Sequence, residues 1–379
     1  MITNLNQDSN HASWYLGLMS GTSCDGIDAA LVLMNKSSIE RLGPSIYQPM
    51  PDELRGQLLA LQGAKNEDDS CERLLSELHI EICQKLIKKT GIHPTAIGFH
   101  GQTITHDPAD GFSLQIGDGK LLAQTLKIPV VWDFRSYDIT QGGEGAPLAP
   151  AYHQAIGQRL RKRGFLTQQN PVIFVNIGGV SNVTLIDFER SDIMAFDTGP
   201  GNALIDDYMH QHFNQPIDKN GETARSGTID QLLLQTFLAH PWFQKKPPKS
   251  LDRNFFKQFD VNHLKPCDGV ATLTALSAFA IAKATDFCTQ KPQAWIICGG
   301  GRHNHFMLEQ LHKALDLKQK KVNIYNLDQL DPSFNLNGDM LEAQAFAYMA
   351  ALVLNKKCFA WPSTTGVNKP HGVAKISYP

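Results

Sequence analysis

The 379-residue chain has no basic run longer than a few positions, no apolar stretch of bilayer length and no cysteine pair at CxxC spacing. Each absence excludes a class. With 35 Lys+Arg against 37 Asp+Glu and a formal charge of −2, it lacks the basic footprint that nucleic-acid binding leaves. Its longest apolar runs, such as 346–354, fall far short of the roughly 18–20 residues that span a bilayer. Residues 1–13 are polar, with neither a basic n-region nor an apolar h-region, so they read as a loose tail rather than a signal peptide. The seven cysteines are odd in number and scattered, which points to a reducing compartment and away from structural zinc. There is no HExxH, and His100 and His106 do not match a helical metal pair, so no protein-held metal site is expected. What remains is a cytoplasmic, soluble, globular protein with no nucleic-acid or membrane partner.

Apolar residues at 42% against 19% charged supply real cores and exclude disorder, and 42.0 kDa predicts two domains or three. Two short apolar runs, 14–19 and 29–34, flank the Gly-bearing segment SGTSCDGID and read as strand, turn, strand. Residues 70–88 repeat apolar side chains every three or four positions and predict a helix. Strands are expected at 96–99 and 129–132, each ending in a polar cluster. The Gly-dense segment 140–147 marks the boundary between a first domain, 14–140, and a second, 141–379, whose last residues could pack back on the first. A second hairpin with a glycine turn is expected at 171–188, followed by a strand 193–196 that ends at Asp197, a turn, and a helix capped by Asn202. Residues 241–260, rich in Lys and Pro, read as surface loop. Further helices are expected over 273–287, 306–315 and 339–354. The duplicated hairpin suggests two related α/β domains.

The first turn, Gly21-Thr22-Ser23-Cys24-Asp25-Gly26-Ile27-Asp28, frees backbone N–H groups and offers two hydroxyls, a mixture that suits phosphate oxygens. It has no Walker lysine and leads into a strand, so it is neither a P-loop nor a Rossmann turn. Asp25 and Asp28 would repel phosphate unless a divalent cation lay between them. An ordinary hairpin turn explains the same pattern. Gly299-Gly300-Gly301 between a strand and a helix permits close ligand approach, but reads more readily as a tight turn. Asp133, Arg135, Asp197 and Glu342 stand where strands or loops give way to the next element, and strand carboxyl ends line the binding crevice of open α/β sheets. Taken singly, each reads equally as a cap or a surface ion pair. Together with the Gly turns, they favour a nucleotide-dependent phosphotransferase.

Seven strings in order, LGLMSGTSCDGIDAALV (16–32), GFHGQTITHDP (98–108), VVWDFRSYDITQGGEGAPLAP (130–150), NIGGVSNVTLI (176–186), FDTGPGNALID (196–206), CGGGRHN (298–304) and GDMLEAQAFAYMA (338–350), closely resemble the anhydro-N-acetylmuramic acid kinase family. The departures are a long N-terminal tail and Cys24, which stands where the family usually has an apolar residue. The resemblance implies the sugar kinase/heat-shock-protein-70/actin superfamily, with two ribonuclease-H-like domains around an ATP cleft. It implies a phosphate-1 loop at 21–28, a phosphate-2 loop that includes Asn176, Gly178 and Gly179, and an adenosine site that includes Gly299, Gly300 and Gly301. It further implies ATP with Mg²⁺, conversion of anhydro-N-acetylmuramic acid, ATP and water to N-acetylmuramic acid 6-phosphate and ADP in cell-wall recycling, and a homodimer. Asp197 is implied as the base and Arg135 as the partner of a sugar anion, with His100, Gln102, Asp133 and Glu342 as further substrate contacts. Another sugar kinase or an exopolyphosphatase-like enzyme on the same fold is the alternative. A non-catalytic actin-like ATP module is a more distant one.

Overall fold

The first hairpin forms where its apolar runs predict. Strands β1 (Ser13–Ser20) and β2 (Gly26–Asn35) pair antiparallel, with Leu16 opposite Leu31 and Ser20 opposite Ile27. The computed structural model describes residues 12–66, 68–166, 170–251, 255, 256, 258–319 and 321–379, so all but two residues of the expected N-terminal tail lie outside it. Strand β3 (Ser38–Pro49) continues the antiparallel meander. Strand β4 (Ala96–Asp107) lies parallel to β1, β5 (Phe112–Ile116) pairs antiparallel with the far half of β4, and β6 (Val130–Trp132) lies parallel to β4. The strand Lys375–Ser377 closes the edge against β6. A second sheet repeats the plan. Strands β7 (Val172–Ile177), β8 (Val180–Asp187) and β9 (Asp192–Pro200) form an antiparallel meander, with β10 (Ala294–Cys298) and β11 (Asn323–Asn326) added in parallel beyond β7. The sheets thus run β3-β2-β1-β4-β6 and β9-β8-β7-β10-β11, an antiparallel meander followed by two parallel strands, which is the ribonuclease-H-like order. The duplicated hairpin in the sequence is the trace of this duplicated sheet.

The backbone divides into two units, Met1–Ile156 with Met340–Pro379, and Gly157–Asp339. The sequence reading placed the division at 140/141. The helix Leu341–Leu354 belongs to the first unit because Gly17 and Gly98 let it lie directly on β1 and β4. A Cβ at either glycine would strike the helix backbone at Ala343 or Phe346. Twelve of its side chains are buried, and burying a large apolar side chain stabilises by roughly 1.5–3 kcal/mol. The predicted helix at 70–88 is Asp69–Thr90, capped by the Asp68 carboxylate, which accepts from the amides of Ser70 and Cys71. One described stretch, Pro266–Phe287, is apolar and long enough to cross a membrane, contrary to the expectation that none is. Most of its apolar window is buried, and its α-helical part, Pro266–Ala282, forms the core helix of the second unit.

Three local expectations change. Strand β4 does not stop at Phe99 but runs through His100, Gly101, Gln102 and Thr103 to Asp107. Strand β9 likewise runs through Asp197 to Pro200. The Thr198-Gly199-Pro200 segment read as a turn is a β-bulge, in which Ser181 faces Gly199 while Asn182 faces Asp197, leaving Thr198 as the extra residue. The 241–260 segment is not simply exposed loop, because Trp242, Phe243 and Phe256 are buried in the second unit's core.

Candidate functional site

In the first unit, the turn between β1 and β2 is pinned from beneath by Gln102. Its side chain accepts from the Ser20 hydroxyl and donates to the Gly21 carbonyl at 3.0 Å. Gln102 is fully buried, so this side chain is spent on the loop rather than pointing to a ligand. The turn closes through the Cys24 amide, which donates to Gly21 O at 3.0 Å. Cys24 takes a left-handed backbone (φ 53°), and burial pushes its thiol up to about 11, so it serves as an apolar plug. Thr22 and Ser23 are exposed. Ile27 points into the core, and Asp28 stands opposite Met19 and Tyr47 in the ladder. The two glycines differ. A Cβ on Gly26 would strike Tyr47 and the Gln48 carbonyl, whereas a Cβ on Gly21 finds nothing closer than Ser23 Oγ at 3.6 Å.

Three of the expected substrate contacts gather at one place in this unit. Arg135 donates to His100 Nε2 at 2.9 Å and to the Gly145 carbonyl at 2.9 Å. His100 Nδ1 faces the Gly101 carbonyl at 2.8 Å, which makes Nδ1 the protonated nitrogen and Nε2 the acceptor. Burial, with Arg135 beside it, holds this imidazole well below its usual range, so it is neutral. Arg135 keeps one partly exposed face. Dense protein around it nevertheless lowers its guanidinium to about 10, with Glu342 and Asp138 opposing that shift. Burial raises the Glu342 carboxyl, and Arg135 opposes the rise. Asp133 has other partners. It adopts a left-handed backbone (φ 50°), pairs with Lys375 at 2.9 Å and accepts from the Ser136 amide. These partners outweigh the upward push of burial and leave it below the ordinary carboxylate range. His100 and Asp133 both line a cleft of about 280 Å³, with Trp132, Ser136 and Lys375 on its wall.

In the second unit, β7 and β10 lie parallel with Asn176 beside Cys298, so their glycine turns emerge together at the strand carboxyl ends. Gly299 has φ 73° and sits so near Asn176 and the Ile177 carbonyl that only glycine fits. Gly300 faces open space, and Gly178 and Gly179 meet nothing nearer than 3.5 Å. Asn202 holds the cap position of helix Ala203–Phe213, but its side chain makes no cap bond. It donates instead to the Ile177 carbonyl at 3.2 Å, tying the helix start to the hairpin turn. Asp197, partly exposed on β9, has its Oδ2 fixed by the Leu251 amide at 2.8 Å, and its own amide donates to the Lys249 carbonyl at 2.9 Å. The sequence reading passed over Arg302. It is 2% exposed, bonds Asp339 through both terminal nitrogens and Asp328 through Nε, and donates to the Gly299 carbonyl at 3.1 Å. Its position directly after Gly301 was the available signal.

A family profile described as anhydro-N-acetylmuramic acid kinase matches residues 13–379. The chain belongs to the anhydro-N-acetylmuramic acid kinase family. Curated relatives of that description include one from Rhodospirillum rubrum, 42% identical over 96% of this chain and 94% of its own length. Others come from Methylobacterium nodulans, 42% identical over 94% and 97%, and Roseobacter denitrificans, 41% identical over 96% and 94%. Cys24 and Arg302 are therefore features of a family member whose sheets and turns are those described above.

Proposed function

We propose that this chain carries out the family's reaction, opening the 1,6-anhydro bond of anhydro-N-acetylmuramic acid with water and phosphorylating O6 from ATP. The observation that carries this reading is the Asp197 carboxylate, fixed by a backbone amide yet partly exposed, in a sheet whose glycine turns open beside it. Asp197 takes a proton as water attacks C1. The C1–O6 bond breaks, and the released O6 attacks the γ-phosphorus as ADP leaves. The first turn, Gly21 to Asp28, and the second, with Asn176, Gly178 and Gly179, are assigned to the phosphates of ATP, and Gly299 to Gly301 to its adenosine. Arg135, held by neutral His100, is assigned to an anionic group of the sugar, with Glu342 beside it.

Mg²⁺ fits this site as a phosphate-bound ion. Among the described residues no cluster of three or more His, Cys, Asp or Glu could hold a metal by itself, and Mg²⁺ in such enzymes takes one or two carboxylates plus phosphate oxygens. Asp25 and Asp28 are the carboxylates of the first turn, and the ion would supply charge neutralisation for the transferring phosphoryl group. The reading is of a cytoplasmic homodimer in peptidoglycan recycling. No disulfide joins any of the seven cysteines, which suits a reducing compartment. The test is incubation with ATP, Mg²⁺ and anhydro-N-acetylmuramic acid, followed by product mass. A gain of both water and phosphate is expected. Phosphate without water would make this another sugar kinase, and ATP binding without any sugar product would overturn the enzyme reading.

A further inference from the structure

Lys249 stands in the segment read from sequence as surface loop, yet it is only 9% exposed. Its ammonium lies 4.3 Å from the ring centroid of Trp242, 4.9 Å from that of Phe287 and 5.8 Å from that of Phe196. A lysine that merely covers apolar surface would extend its head to water. This one turns its head into an aromatic cage. The same short stretch of backbone brackets Asp197, with the Lys249 carbonyl taking the Asp197 amide and the Leu251 amide holding Asp197 Oδ2. The charged groups facing the ammonium are Asp197 from β9, Lys283 from the turn Lys283–Phe287 and Lys245 from its own segment.

We propose that Lys249 is a positioning residue for Asp197: its caged cation anchors residues 249–251 along β9 and so fixes the direction of the Asp197 carboxylate. This rests on the reading of Asp197 as the base. Cation–aromatic attraction is strongest where water is excluded, and it exists only while the amine is protonated. Burial lowers the Lys249 ammonium to about 8, with Lys283 and Lys245 adding to the effect and Asp197 opposing it. The anchor therefore weakens as pH rises through that value.

The experiment compares the full-length protein with Lys249→Met, which keeps the packed stem, and Lys249→Arg, which keeps a charge that does not titrate. At pH 7 the Met variant should lose about tenfold in kcat, the scale of one desolvated cation–aromatic contact. Its KM for ATP should be unchanged, and its deficit should close as pH rises past about 8. The Arg variant should keep most of kcat and show no decline across pH 8. A Met profile superimposable on the parent from pH 6 to 9, or a loss that is equal at every pH, overturns the proposal. If the Met variant does not melt cooperatively, the Arg profile decides alone, since a decline through pH 8 in that variant contradicts the anchor. Asp197→Asn is measured in parallel. Activity there overturns the base assignment and this inference with it, whereas an inactive Asp197→Asn beside an unaltered Lys249→Met overturns the inference only.

Discussion

Arg135 and His100 form a locked pair in which the guanidinium donates to Nε2 of an imidazole whose Nδ1 proton is already committed to the Gly101 carbonyl. The pair works only while His100 is neutral, because a protonated ring would present N–H to N–H. Two other histidines of the same unit, His79 and His153, are buried, and burial lowers them to about 4 and about 3.

This sets the acid limit of the first unit. The folded pKa of each of the three lies below the unfolded value of about 6.5, so the unfolded chain takes up protons first as pH falls. The stability that these neutral rings contribute is fully present above about pH 6.5 and is lost as pH drops towards their folded values. The expected slope is on the order of 1.4 kcal/mol per pH unit for each ring. Urea melts between pH 7 and 5 check it, and a flat midpoint over that range would contradict the assignment.

Arg135→Lys keeps the charge but loses the planar fork that meets both His100 and Gly145. The KM for the sugar should rise well above any change in the KM for ATP. Equal effects on both substrates would identify Arg135 as a purely structural partner of His100.

For Asp197→Asn, the Leu251 amide still finds an acceptor, so folding and ligand binding should be nearly normal. Ring opening and phosphoryl transfer should fall together, towards the upper end of the ~10²–10⁴-fold range of general-base loss. Single-turnover measurement of both products checks this, and substantial activity would move the base to Glu342 or Asp133.

Glycine substitutions separate turn geometry from ligand contact. Gly300→Ala adds a Cβ that meets nothing closer than Asn202 Nδ2 at 3.9 Å, so the melting temperature should hold while ATP affinity drops. Unchanged ATP affinity would remove Gly300 from the nucleotide site. Gly26→Val, by contrast, meets Tyr47 and the Gln48 carbonyl and should destabilise the hairpin by about 1–3 kcal/mol, whatever its effect on ATP.

Both hairpins were legible because apolar runs and glycine turns are local signals, and they fell on β1–β2 and β7–β8. The run through Asp197 was not, because Gly199 and Pro200 look like a turn and only the partner strand β8 reveals a bulge. Lys249 was hidden by composition. A Lys- and Pro-rich segment reads as solvated, and the burial of Trp242 beside it comes from packing against distant residues. Gln102 stood in one of the strings that carry the family resemblance, but its role as the support of the first turn depends on a contact with Ser20 from 82 positions earlier.

The seating of Leu341–Leu354 on Gly17 and Gly98 has a consequence for synthesis. After β6 the first sheet lacks the helix that covers one of its faces until roughly 210–220 further residues have been made, a wait of about 10–40 s at ordinary elongation rates. The second unit, Gly157–Asp339, is contiguous and has no such delay. It can reach its native state while β1, β2 and β4 still expose an apolar face. The nascent chain is therefore most exposed to aggregation, and has most need of a chaperone, on the sheet it makes first.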